Sequence, residues 1–108
     1  MTKVKVFAGA CGFTSVIKAQ AWGQTNVKVE IISACSMLRS MNAELGELDW
    51  TKGIFNRMAE SLIYLTASKH LKHTDCPVPC AIIKAIQVEI GAEVAKDVEI
   101  RIQKTDMR

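Results

Sequence analysis

The side chains of this chain best suited to chemistry are its four cysteines, Cys11, Cys35, Cys76 and Cys80. A thiolate binds soft metal ions and attacks electrophilic sulfur or carbon, whereas a buried thiol behaves as a small apolar group. In a reducing compartment cysteines persist as thiols rather than as stable disulfides, which leaves metal ligation, thiol transfer or simple burial. The spacing matches no recognised ligand pattern: there is no CxxC, and Cys76 and Cys80 are separated as CxxxC. His70 and His73 precede Cys76 and are candidates for a metal ligand or a base. At the C-terminal end of a helix an imidazole also has a purely structural use, since its positive form complements the negative dipole end.

The elements that must position these residues can be read from periodicity. Lys3-Val4-Lys5-Val6 alternates polar and apolar as a half-buried strand and ends at the small-residue turn Gly9-Ala10-Cys11-Gly12. Residues 14–21 are β-branched enough for a second strand, and Trp22-Gly23-Gln24-Thr25-Asn26 reads as a turn. Val27-Lys28-Val29-Glu30-Ile31 alternates as a third strand, so the three are expected to form a meander. Ser33 precedes a helical spacing of Leu38, Met41 and Leu45, which predicts a first helix over 34–45 ended by Gly46. Asp49 is placed to cap a second helix with the stripe Ile54, Met58, Leu62 and Leu65, running to about Leu71. Pro77 suits the first turn of a third helix, with the stripe Val78, Ile82, Ile86 and Ile90 stopping at Gly91. Val98-Glu99-Ile100-Arg101-Ile102 alternates as a last strand. The expected fold is one α+β domain over 1–108, an open, mainly antiparallel four-stranded sheet with helices on one face in the order βββαααβ.

Strand parity then places the thiols. If the first strand runs up, Cys11 lies at its upper end; the second returns, the third rises, and Cys35 follows at the same edge. The first helix descends, the second climbs, and Cys76 opens the third helix at that edge, with Cys80 one turn below. Helix N-termini favour an anion, so thiolate is expected to be stabilised beside them.

Three readings follow. In the first, Cys11, Cys35 and Cys76 ligate a metal, with Cys80 or His73 as the fourth donor; the cofactor such a thiolate set takes is Zn²⁺ or an iron–sulfur cluster. In the second, Cys76 is a nucleophile or sulfur carrier, and Cys11 or Cys35 is its resolving thiol, with His70 or His73 as the base. In the third, the cysteines fill space and Pro77 and Pro79 merely start a helix. No spacing fixes a base beside a nucleophile, so no enzymatic reaction is assigned.

The run Cys76-Pro77-Val78-Pro79 resembles the CPxP motif of small sulfur-carrier proteins of the TusA/SirA type, in which the cysteine caps a helix and carries sulfur as a persulfide. Lys84 and Ala85 are similar to the basic helix that follows the motif there. The resemblance implies a carrier role for Cys76. Over the whole chain, with Ala8-Gly9-Ala10-Cys11-Gly12-Phe13 in front and Ala81-Ile82-Ile83-Lys84-Ala85 behind the motif, the sequence resembles an uncharacterised family of short proteins from anaerobic prokaryotes. That resemblance implies a compact fold and a cytosolic setting and assigns no role.

Composition narrows the alternatives. With 49% hydrophobic and 23% charged residues the chain can build a core. Its net charge of +3 comes from 14 basic and 11 acidic residues that are interspersed, and only 6% of residues are aromatic, which argues against a nucleic-acid-binding stripe. Gly9-Ala10-Cys11-Gly12 lacks the length and lysine of a phosphate loop. Met37, Met41 and Met58 read as core filling, and Trp22 and Trp50 as loop anchors. The N-terminus passes directly into a strand pattern, and residues 81–95 are interrupted by Lys84, Gln87, Glu89 and Glu93, so a cytoplasmic protein without a membrane span is expected. A protein partner is compatible with a thiol carrier. The last strand, if it lies at a sheet edge, offers pairing to a second subunit, and both monomer and homodimer remain open.

Overall fold

The structure, a computed structural model, describes residues 1–106. Strands β1 (Thr2–Phe7), β2 (Thr14–Trp22) and β3 (Asn26–Ser33) form the expected antiparallel meander. Alternation sets its two faces: Val4, Val6, Ile17, Ala19, Val27, Val29 and Ile31 face the helices, and Lys3, Lys5, Lys18, Lys28 and Glu30 lie on the other face. Register aligns Val4 with Ile17 and Ile17 with Ile31, so the buried residues form continuous rows. At Gly23 the backbone adopts φ +62°, which lets the β2–β3 turn close without a Cβ penalty.

The fold class is the one expected, an open antiparallel sheet of four strands with helices on one face, in the order β1-β2-β3-β4. Its fourth strand is a different segment. β4 is Glu47–Asp49, paired with residues 26–28 of β3, and it comes from the stretch whose pattern suggests the end of one helix and the cap of the next. Residues 98–102, the expected last strand, pair with nothing among the described residues, and Ile102 is 92% exposed.

The first helix is broken into α1 (Ser36–Ser40) and α2 (Asn42–Leu45). The break frees Asn42 to bond the sheet, where its carboxamide accepts from the Ile31 N–H at 2.8 Å and donates to the Ile31 carbonyl at 2.9 Å. The side chain thus supplies the edge of β3 where β4 is too short to reach. The second helix is α3 (Leu62–His70), much shorter than its stripe suggests. Asp49 instead ends β4 and accepts from the Thr51 N–H and hydroxyl, and Gly53, at φ +72°, redirects the chain. As a result Met58 lies in a single 3₁₀ turn (Met58–Glu60) and is 69% exposed rather than core filling, and Leu65 is also exposed. Ile63, Thr66 and Ala67 face inward in their place.

The last helix, α4 (Val78–Glu89), follows its sequence stripe. Val78, Ile82, Ala85 and Ile86 are fully buried, and α4 packs on β1 and β2. Each large aliphatic side chain removed from water there contributes about 2 kcal/mol. Gly91, at φ +79°, ends the helix.

Candidate thiol site

α4 has a polar lower end that fixes its direction. There the Glu89 carboxylate accepts from the Thr2 hydroxyl at 2.9 Å and from the Ala21 N–H at 2.8 Å, and lies 3.5 Å from the N-terminal ammonium. Burial pushes this carboxyl up, but those donors together hold it below the usual carboxylate range. Because Thr2 starts β1 and Ala21 is near the end of β2, the N-terminal end of α4 must lie at the opposite end of the sheet, beside the β1–β2 connection and the exit of β3.

Those two segments carry the other thiols. Cys11 ends a one-turn 3₁₀ segment (Gly9–Cys11) and is exposed. Gly9 and Gly12, at φ +79° and +80°, bracket it, and the Ala8 N–H donates to the Phe13 carbonyl at 3.0 Å, so the turn is closed at its base. Cys35 stands at the N-cap of α1, half-buried against the core; its N–H donates to the Ser33 hydroxyl at 3.1 Å. Cys76 is likewise half-buried, and the chain before α4 is folded so that its N–H reaches the His73 carbonyl at 3.5 Å.

Cys76 senses both neighbours. Burial pushes its thiol above the ordinary thiol value, the backbone N–H of Val78 opposes this, and the nearness of Cys35, Cys11 and Asp75 adds to the rise. The helix end therefore does supply a donor, but desolvation outweighs it. The expected thiolate is replaced by a protonated thiol at neutral pH, because the side chain packs against the core instead of projecting into water.

The remaining predicted residues lie apart. Cys80 is exposed and lines a groove of about 390 Å³ with Tyr64, Ile83, Lys84 and Gln87. Its neighbours are Tyr64 and Lys84 rather than the other thiols. His70 is engaged between helices: its ring bonds the Glu44 carboxylate through Nε2 and the Ser40 hydroxyl through Nδ1 at 2.9 Å. It thus joins α3 to α1 and α2 through these two bonds. His73 is exposed in the turn before Cys76. Among the described residues, no three His, Cys, Asp or Glu side chains are grouped so as to hold one metal ion.

Two residues beside the site, Phe7 and Phe13, do not stand out from the sequence pattern. They flank the Cys11 turn and are both exposed, and Phe7 shares the open sheet face with Ile32, also exposed. The available signal is two of the chain's six aromatic residues standing on either side of Gly9-Ala10-Cys11-Gly12. No described helix is long and apolar enough to cross a membrane. No curated protein and no solved structure matches the chain. Residues 2–102 do match a family, described as "Family of unknown function (DUF6951)", and the chain belongs to it.

Proposed function

We propose that the protein is a thiol-based carrier in which Cys76 accepts and delivers a sulfur atom. One observation carries this reading: the β1–β2 connection, the exit of β3 and the head of α4, which bear Cys11, Cys35 and Cys76, belong to one end of the sheet. The similarity of Cys76-Pro77-Val78-Pro79 to sulfur-carrier motifs supports the same residue. In the loading step Cys76 loses its proton to solvent and Sγ attacks the terminal sulfur of a donor persulfide. The new S–S bond forms on Cys76, the donor S–S bond breaks, and the donor leaves as a thiolate. Cys35 or Cys11 resolves an unused persulfide by attacking Sγ of Cys76, forming a disulfide and releasing hydrosulfide. The exposed Phe7 and Phe13 give a donor protein an apolar foothold beside the site.

A second reading rests on the same thiols. Zn²⁺ or an iron–sulfur cluster on Cys11, Cys35 and Cys76, with Cys80 or His73 as fourth donor, requires these side chains to close around one point. The placement of Cys80 in a separate groove and the spacing of the others favour the carrier.

Serine variants separate the readings. Protein purified without oxygen is analysed for metal, then treated with a persulfide donor and weighed intact. The carrier reading expects one added sulfur in the native chain and none in Cys76→Ser, with loading retained in Cys11→Ser and Cys35→Ser. Stoichiometric zinc or iron, lost in all three variants, would replace it with the metal reading.

A further inference from the structure

We infer that residues 96–101 form a fifth strand in trans, added to the free edge of β1 in a second copy of this chain. The C-terminal tail and the free edge of β1 take no part in the carrier reading, and the inference is independent of it. Val98-Glu99-Ile100-Arg101-Ile102 has the period of a half-buried strand, yet Val98, Ile100 and Ile102 are all exposed and the segment lies unpaired. An apolar stripe of this kind left in water is the signature of a strand awaiting a partner. The sheet has two edges, β1 and the three-residue β4; β1, which pairs with β2 on one side and with no strand on the other among the described residues, is the one long enough to take such a strand.

The two sequences are complementary. Thr2-Lys3-Val4-Lys5-Val6 presents Val4 and Val6 toward the helix layer and Lys3 and Lys5 toward the open face. Placing Val98 beside Val4 sets Asp97 and Glu99 beside Lys3 and Lys5, whichever way the added strand runs. In the parallel direction it also sets Ile100 beside Val6 and Arg101 beside Phe7. Apolar then meets apolar on the buried face, and acid meets base on the exposed one.

The partner is a second copy because, among the described residues, the tail pairs with no strand of its own chain and is held on the α3 side of α4. α4 covers β1 and β2, and α3 packs against α4 and α1, so α3 marks the side of α4 away from the free edge. After Gly91 the Ala92 N–H donates to the Gln87 carbonyl at 2.8 Å, and Lys84 holds Glu93 at 2.8 Å. Lys84 and Gln87 line the groove with Tyr64 of α3, so the tail is anchored on that side. It runs outward from there, and the molecule reaches 53 Å along its longest axis against 29 and 25 Å across. Exchange of tails about a two-fold axis satisfies both edges at once.

The test is light scattering after size exclusion on the full chain, with Ile100→Asp, Lys3→Glu/Lys5→Glu and the combined swap that adds Asp97→Lys/Glu99→Lys. All the altered side chains are exposed, and circular dichroism checks the fold. A dimer is expected in the native chain, lost in Ile100→Asp. The charge reversal, which turns over two ion pairs on each of the two exchanged tails, weakens it by at least about tenfold in Kd, and the combined swap restores it. A dimer indifferent to all three variants would overturn the inference. So would a monomer, whether hydrogen exchange shows its tail amides protected, as in folding back on its own sheet, or open.

Discussion

The two ends of α4 are built on opposite terms. At the lower end a carboxylate is surrounded by donors: Glu89 is bound by Thr2, Ala21 and the N-terminal ammonium, and these contacts tie helix, β1 and β2 together. At the upper end Cys76 is half-buried against the core, beside the segments that carry Cys11 and Cys35 and without a side-chain hydrogen bond of its own among those described. Polar groups that are fully engaged hold a fold together, whereas a nucleophilic group left lightly engaged is free to react. On the proposed carrier reading, the difference separates the structural end of the molecule from the chemical one.

The comparison breaks most visibly if the lower end is cut. Glu89→Ala should lower stability by about 3 kcal/mol, measured by urea denaturation, because it leaves a backbone N–H and an ammonium without their charged acceptor. Asn42→Ala, which strips the edge of β3 of its carboxamide, should cost about 2 kcal/mol in the same assay. At the upper end Cys76→Ser should change stability by less than about 1 kcal/mol while removing sulfur loading. Cys11→Ser, at an exposed position, should stay within about 0.5 kcal/mol of the native chain.

The two ends also respond to opposite limits of pH. Glu89 is held below the usual carboxylate range, so its contribution is present above that range and is lost as pH falls through its folded value. Cys76 is pushed above the ordinary thiol value, so its contribution is present below that value. It is lost as pH rises, because the unfolded chain gives up the proton first. Denaturant midpoints measured across pH should fall at the acid end in a manner abolished by Glu89→Gln. They should fall at the alkaline end in a manner abolished by Cys76→Ala.

What can be read from the sequence follows the same physical lines. β1 to β3 and α4 carry unbroken periodicity, and their expected boundaries are close to those observed. Parity along the meander also puts Cys11, Cys35 and Cys76 at one end. The middle of the chain resists because its structure depends on single long-range contacts. Asn42 breaks a helix in order to bond Ile31, three residues suffice for β4 once β3 is beside them, and Gly53 turns a stripe that otherwise looks helical. The Glu44–His70 pair spans 26 positions and leaves no local mark. The sign of the shift at Cys76 is hidden for a related reason. A helix terminus is visible in sequence, but the depth at which the sulfur is packed is not.

The most direct test of the carrier account is to let all four cysteines compete for one limiting equivalent of a persulfide donor and to map the added sulfur by peptide mass spectrometry. Cys11 and Cys80 are exposed, so accessibility alone would load them first. The account predicts that the sulfur resides on Cys76, the thiol of the Cys76-Pro77-Val78-Pro79 run at the head of α4. Sulfur distributed over Cys11 and Cys80, with Cys76 unmodified, would contradict it.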